Sequence, residues 1–245
     1  MARCWLAILL GLLGCSCALA EPAAPREIRL ASEAWQDHTN ADGSGLAWDI
    51  LRQVFEPEGI ELVIHSVPYT RSIGLVQRGE ADAWVGSYRN EVDAGVFYPR
   101  WHYDVDQISA LGLITLPAPN LATLGEFRLV WMRGYEYQRY LPNLTRYREV
   151  QRQSDILNML NLDRTDFYID ARTEVDEALK AASDPARYRI TDLTRLPLYL
   201  GFADNPRGRA LARLFDRRMA RLVESHSLRP LFERWQQPYP FDKQW

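Results

Sequence analysis

Cysteine is almost missing from this chain. Cys4, Cys15 and Cys17 are its three, and all lie within the first twenty residues. A chain that loses that segment has neither a disulfide framework nor a thiol nucleophile. Lysine is nearly as scarce: with only Lys180 and Lys243 present, arginine carries almost all the positive charge. Its planar forks are suited to gripping carboxylates. Positive charge is not in surplus, since the formal net charge is −3. That argues against nucleic acid as a main partner, because neutralising phosphates requires a basic face. Beyond the first twenty residues no apolar run is long enough to cross a bilayer. HExxH and Cys-rich metal patterns are also absent. His102, Asp104 and Asp106 alternate, so one strand face can present all three, but a metal site needs further ligands. Neither a metal nor a cofactor is expected.

What is present begins with a leader. Arg3 supplies a positive start, Trp5 to Gly14 is apolar, and Ala18-Leu19-Ala20 is an A-x-A cleavage pattern. Export to the periplasm with cleavage before Glu21 follows, which makes residues 1–20 a signal peptide. In an alternative reading Leu12-Leu13-Gly14-Cys15 acts as a lipobox, and Cys15 becomes a lipidated N-terminus that tethers the protein without altering its fold.

The remaining chain alternates strand and helix signals. Strands are expected at 27–31, 61–67, 81–85, 127–132, 166–169 and 197–203, with a further apolar stretch at 108–116. Helical spacing covers 47–55 and begins again at 136–141. Ser154 is placed to cap a helix with Ile156, Leu157 and Leu160 on one face. Asn205-Pro206 opens a long amphipathic helix, and a short one ends near Trp235. Strands alternating with helices indicate an α/β fold with a largely parallel sheet. Two stretches share one grammar: 69–91 and 154–172 each run helix, turn, aspartate, short aromatic strand and polar cluster. That repetition suggests two lobes facing a shared cleft. Trp84, in mid-strand, is expected in the core.

The order of these elements carries a resemblance. It runs from an aromatic loop after the first strand through Leu46-Ala47-Trp48-Asp49-Ile50, Tyr69-Thr70-Arg71 and Gln77-Arg78-Gly79-Glu80-Ala81-Asp82-Ala83. It ends with the Pro206 helix and Arg234-Trp235. Together these resemble bacterial periplasmic solute-binding proteins of family 3, the polar amino acid binders of ABC importers. The resemblance implies a two-lobed, periplasmic-binding-protein-like (type II) α/β fold with two hinge strands. Lobe I would comprise residues 26–106 and 196–245, and lobe II residues 107–195. The implied function is closure on a small polar ligand, an amino acid or related carboxylate, for delivery to an ABC importer. The implied partner is an inner-membrane permease or sensor, and the protein a monomer.

The same resemblance places candidate ligand contacts at Trp35 and Tyr69, the loop and stacking aromatics. Gly134 and Tyr135, with Arg133 beside them, match a turn offering backbone N–H groups. Asp170 matches an aspartate that binds a ligand ammonium. Tyr88 and Arg89 follow the third strand at the cleft rim as an aromatic platform beside a carboxylate clamp. Arg71 opens a helix where a cation is poorly placed for the dipole, which favours an anion-related role. One departure matters. Amino acid binders usually carry Thr-x-x-Arg here, whereas this chain reads Tyr88-Arg89-Asn90-Glu91. The arginine is displaced and a glutamate stands near its expected position. That weighs against a standard α-amino acid but not against a small polar ligand. Two other functional classes fit the same fold. One is a sensing module that signals to a membrane protein. The other is a dehydratase-like periplasmic enzyme using Asp170 and Glu174 as acids.

Overall fold

The computed structural model describes residues 25–152 and 155–242. The leader, Cys15, the cleavage point before Glu21 and Ser154 lie outside the described residues.

Among the described residues fifteen helices and strands follow one another. In order they are β1 (Glu27–Ser32), α1 (Leu46–Phe55), β2 (Glu61–Ser66), α2 (Tyr69–Gln77), β3 (Ala83–Tyr88), β4 (Val96–Phe97), β5 (Asp104–Leu113) and β6 (Leu129–Met132). After these come β7 (Tyr147–Val150), α3 (Ile156–Asn161), β8 (Phe167–Ala171), α4 (Arg172–Lys180), β9 (Tyr188–Ala203), α5 (Pro206–Glu224) and α6 (Arg229–Arg234). Their strands form one continuous sheet, ordered β2-β1-β3-β9-β5-β8-β6-β7, with β4 paired to β9. Two parallel groups, β2-β1-β3 and β8-β6-β7, sit at its ends. Between them the long strands β5 and β9 run antiparallel and carry the chain from one group to the other. Asp106 and Leu196, where the sequence places the two lobe crossings, face each other in that ladder.

Local sequence explains most elements. Along α1, residues Leu46, Ala47, Ile50, Leu51, Val54 and Phe55 fall on one stripe and are fully buried. Phe55 meets Phe215 of α5 at 6.4 Å between ring centres. Burying such a side chain contributes about 1.5–3 kcal/mol. Helix α5 starts as expected, because the Asn205 side chain accepts from the Gly208 N–H at 2.8 Å and Pro206 has no N–H to leave unsatisfied. Helix α3 is capped by Asp155, which accepts from the Asn158 N–H at 2.9 Å. Asp82, buried just before β3, accepts from Arg29 of β1 at 2.8 Å and from Arg207 of α5 at 2.9 Å. One carboxylate thereby pins two strands and a helix.

Several expectations need correcting. Residues 136–141 are not a helical start: only a single 3-10 turn, Tyr137–Arg139, forms there. Glu136 enters it with a φ of 51°, and Pro142 follows, so helix cannot propagate. The strand foreseen at 197–203 is 16 residues long, because its first half pairs with β5 instead of with a neighbour nearby in sequence. Pro197 is tolerated inside it because pairing with β3 begins only at Leu198, which leaves Pro197 flanked by β5 on one side. Strand β3 continues past Val85 to Tyr88, with a register shift between Trp84 and Ser87. Gly86 lies in that irregularity at φ 90°, a conformation side-chain-bearing residues rarely adopt. Trp84 is fully buried, and it lies against Gly201 of β9, where a Cβ would stand 2.0 Å from its ring.

Among the described residues no helix is long and apolar enough to cross a membrane.

Candidate functional site

A cavity of about 550 Å³ lies between the two parallel strand groups. Each group ends its strands toward it, as open α/β sheets do at their ligand crevices. From the first group come Trp35 in the loop after β1, Tyr69 at the start of α2, and Tyr88 at the end of β3. The second group contributes Tyr135 and Tyr137 after β6, and Asp170 at the end of β8. Asp104 and Asp106 enter from β5, where their spacing of two puts both on one face.

The walls touch across the opening. Trp35 Nε1 donates to the Tyr135 hydroxyl at 3.0 Å. Tyr69 and Tyr135 meet edge to face with ring centres 5.4 Å apart, and Tyr88 packs on Tyr140 at 5.2 Å. Arg152, just beyond β7, donates to Glu33 at 2.6 Å and to Glu174 at 2.7 Å. It also reaches the Tyr135 hydroxyl. At the rim Arg139 pairs with Asp93 at 3.3 Å. The Trp35–Tyr135, Arg152–Glu33 and Arg139–Asp93 bonds join residues from both sides of the β5–β9 crossing.

Burial dominates the electrostatics. It pushes the Asp106 carboxyl up to about 7, although the Tyr88 hydroxyl donates to Asp106 Oδ2 at 2.8 Å and works the other way. Burial first, and the nearby Glu174 charge second, raise Asp170 to about 7. Asp170 accepts from Tyr137 at 3.2 Å, from the Ala171 N–H at 2.8 Å, and from the Tyr168 hydroxyl. The Asp104 carboxyl is raised well above the usual carboxylate range by burial, with Arg195 pulling against that shift. His38 is lowered to about 4, also by burial, and is therefore neutral at pH 7. Burial therefore favours the protonated forms of these acids, against the charges of Arg195 on Asp104 and Arg152 on Asp170.

Of the residues singled out from sequence, Trp35, Tyr69, Tyr88, Tyr135 and Asp170 line this cavity. Arg71, Arg89, Arg133 and Gly134 do not. Arg71 and Arg133 are exposed. The Gly134 N–H faces Glu149 at 3.4 Å, and its Cα side lies against Thr70. Arg89 turns outward: its Nη2 donates to the carbonyls of Pro99 at 2.7 Å and Arg100 at 3.1 Å, and its guanidinium stacks 4.4 Å over Tyr199. Glu91, near the position expected for an arginine, is buried behind the wall. It accepts from Tyr69 at 2.7 Å, Ser87 at 3.0 Å and the Tyr88 N–H at 3.2 Å.

Sequence reasoning missed Tyr137, His38 and Asp106 as wall residues. For Asp104 and Asp106 a signal existed in their alternation, but His102 of that trio instead stacks on Phe241 at 5.0 Å. Tyr137 gave none, because a tyrosine in a turn is as readily solvent-facing as buried. Among the described residues no group of three or more His, Cys, Asp or Glu is placed to hold a metal ion.

No family model and no curated protein sequence matches this chain. Solved structures do. The chain is similar to the substrate-binding protein of an amino acid ABC transporter, at 17% identity over 85% of this chain and 98% of that one, with a TM-score of 0.66. It is similar to an ABC uptake transporter substrate-binding protein from Streptococcus pneumoniae with bound histidine, at 15% identity over 86% and 92%, TM-score 0.66. A histidine kinase sensor domain with similarity to periplasmic binding proteins matches at 12% identity over 86% and 96%, TM-score 0.67. At these identities the likeness establishes the fold: a two-lobed, periplasmic-binding-protein-like α/β chain.

Proposed function

We propose that this chain is the solute-binding component of an ABC importer. In this reading it is exported to the periplasm and acts as a monomer, without catalysis, closing lobe I (26–106 and 196–245) and lobe II (107–195) on a small polar ligand. The observation that carries the reading is the cavity of about 550 Å³ with walls from both strand groups. That volume suits one small molecule. Strands β5 and β9 are the crossings about which the lobes would turn. The site residues in this reading are Trp35, Tyr69, Tyr88, Tyr135 and Asp170, joined by Tyr137, Asp104 and Asp106. A membrane permease is the proposed partner, although a sensor protein shares the fold.

An enzyme on this fold would use Asp170 as an acid, and its carboxyl near 7 is poised for that role. Yet Asp170 is 1% exposed and its oxygens are taken by Tyr137, Tyr168 and the Ala171 N–H. It shapes the wall without presenting a proton. The test is a thermal-shift screen of amino acids, organic acids and amines, followed by small-angle scattering with the best hit. A selective rise in melting temperature with a compact bound state is expected. No selective ligand, or steady turnover of one, overturns the proposal.

A further inference from the structure

We propose that the ligand is an organic cation without a carboxylate, an amine or guanidine whose charged head lies against Asp104 and Asp106 and whose body rests on the rings of Trp35, Tyr69, Tyr88 and Tyr135. The inference rests on the cavity being a ligand site, and it names the chemistry that site selects.

A ligand carboxylate needs a guanidinium that is aimed inward and not already committed, and the candidates are engaged elsewhere. Arg89 is spent on the Pro99 and Arg100 carbonyls and on the Tyr199 face, outside the cavity. Arg152 is held between Glu33 and Glu174. Arg172 lines the cavity, but it lies 3.1 Å from Asp176 and 3.2 Å from Asp192. Arg195 also lines it and stands where its charge acts on Asp104. The loop that follows β3 offers Glu91 in place of a cation, sealed under Tyr69 and Ser87.

The opposite chemistry is amply supplied. Carboxylates outnumber guanidiniums on the lining, and Asp104 and Asp106 share one strand face within it. Desolvation at the cavity wall disfavours the charged forms of both. A bound cation would set a charge against Asp106 and add to the one that Arg195 already sets against Asp104. His38, 3.7 Å from Asp104, cannot supply such a charge at pH 7, because burial keeps its imidazole neutral. Around this acidic pole stand the rings of Trp35, Tyr69, Tyr88 and Tyr135, whose faces attract ammonium and guanidinium groups most strongly where water is excluded. An α-carboxylate in the same enclosure would face these acids with no uncommitted partner.

Matched pairs isolate the carboxylate. Calorimetric titration at pH 8 compares lysine with 1,5-diaminopentane and arginine with agmatine, each pair differing only by that group. Each decarboxylated partner is expected to bind at least tenfold tighter than its amino acid. Asp106→Asn, which preserves shape and can still accept from Tyr88, should weaken the better amine at least about thirty-fold; Asp104→Asn serves as the second variant. If the amino acids bind as tightly as their amines, or tighter, the inference fails while ligand binding at this site stands. Unchanged affinity in both variants also overturns it, by removing the acidic pole. If none of the four probes binds and a wider solute panel is equally silent, the underlying reading fails as well.

Discussion

The Tyr69 hydroxyl sits 2.8 and 2.7 Å from the two carboxylate oxygens of Glu91, a buried pair that braces the wall of the cavity from behind. Burial raises the Glu91 carboxyl from 4.5 to about 7. A carboxyl whose folded value lies above its unfolded value binds its proton more tightly in the native state. Its contribution to stability is therefore fully present at low pH and is lost as pH rises from about 4.5 through about 7. A shift of that size corresponds to about 3 kcal/mol. Glu91→Gln mimics the protonated acid. Its melting temperature should exceed that of the parent protein at pH 8, with the gap closing by pH 5. A gap independent of pH would contradict this account.

Ligand affinity should follow pH in the opposite sense. Asp106 faces Tyr88 of β3, Asp104 on its own strand, Tyr137 after β6 and Glu174 of α4, with Arg195 beside its partner Leu196 on β9. Its carboxyl near 7 is protonated in mild acid, and a cation prefers it ionised. Amine binding should strengthen as pH rises from 6 to 8 and should release protons, detectable as calorimetric heats that change with the buffer's ionisation enthalpy.

The lobe closure proposed above is expected to depend on Arg152. Because its guanidinium joins Glu33 on one wall to Glu174 on the other, Arg152→Met should remove about 2 kcal/mol of preference for the closed form. The ligand-free variant is expected to show a larger radius of gyration by small-angle scattering, and saturating ligand should restore the compact value. Identical ligand-free curves for the two proteins would show that the bridge does not hold the lobes together.

Gly86 tests the aromatic wall. It adopts a φ of 90°, and a Cβ there would stand 2.7 Å from the Trp35 ring. Gly86→Ala should lower stability by about 1–2 kcal/mol through the backbone conformation alone. It should also push Trp35 aside, seen as loss of affinity together with altered tryptophan fluorescence. A loss of stability with affinity intact would limit the role of Gly86 to the strand.

The sequence by itself determined what depends on neighbours in the chain. The stripe Leu46, Ile50, Leu51 and Val54 dictates helix α1, Asn205-Pro206 dictates the start of α5, and alternating strand and helix signals dictate the α/β class, because periodicity and capping act over a few residues. Tyr88 was legible as a candidate because it follows a strand end, where chains meet crevices, and Trp35, Tyr69, Tyr135 and Asp170 were candidates through the resemblance. Only the tertiary structure decided the rest. The direction of Arg89 is set by the carbonyls of Pro99 and Arg100 and by the Tyr199 ring. The length of β9 is set by its pairing with β5. Asp106 and Asp170 face one cavity although 64 positions apart, and their protonation follows from water excluded by both walls. These properties arise from groups distant in sequence sharing one desolvated space, and no local pattern encodes such a space.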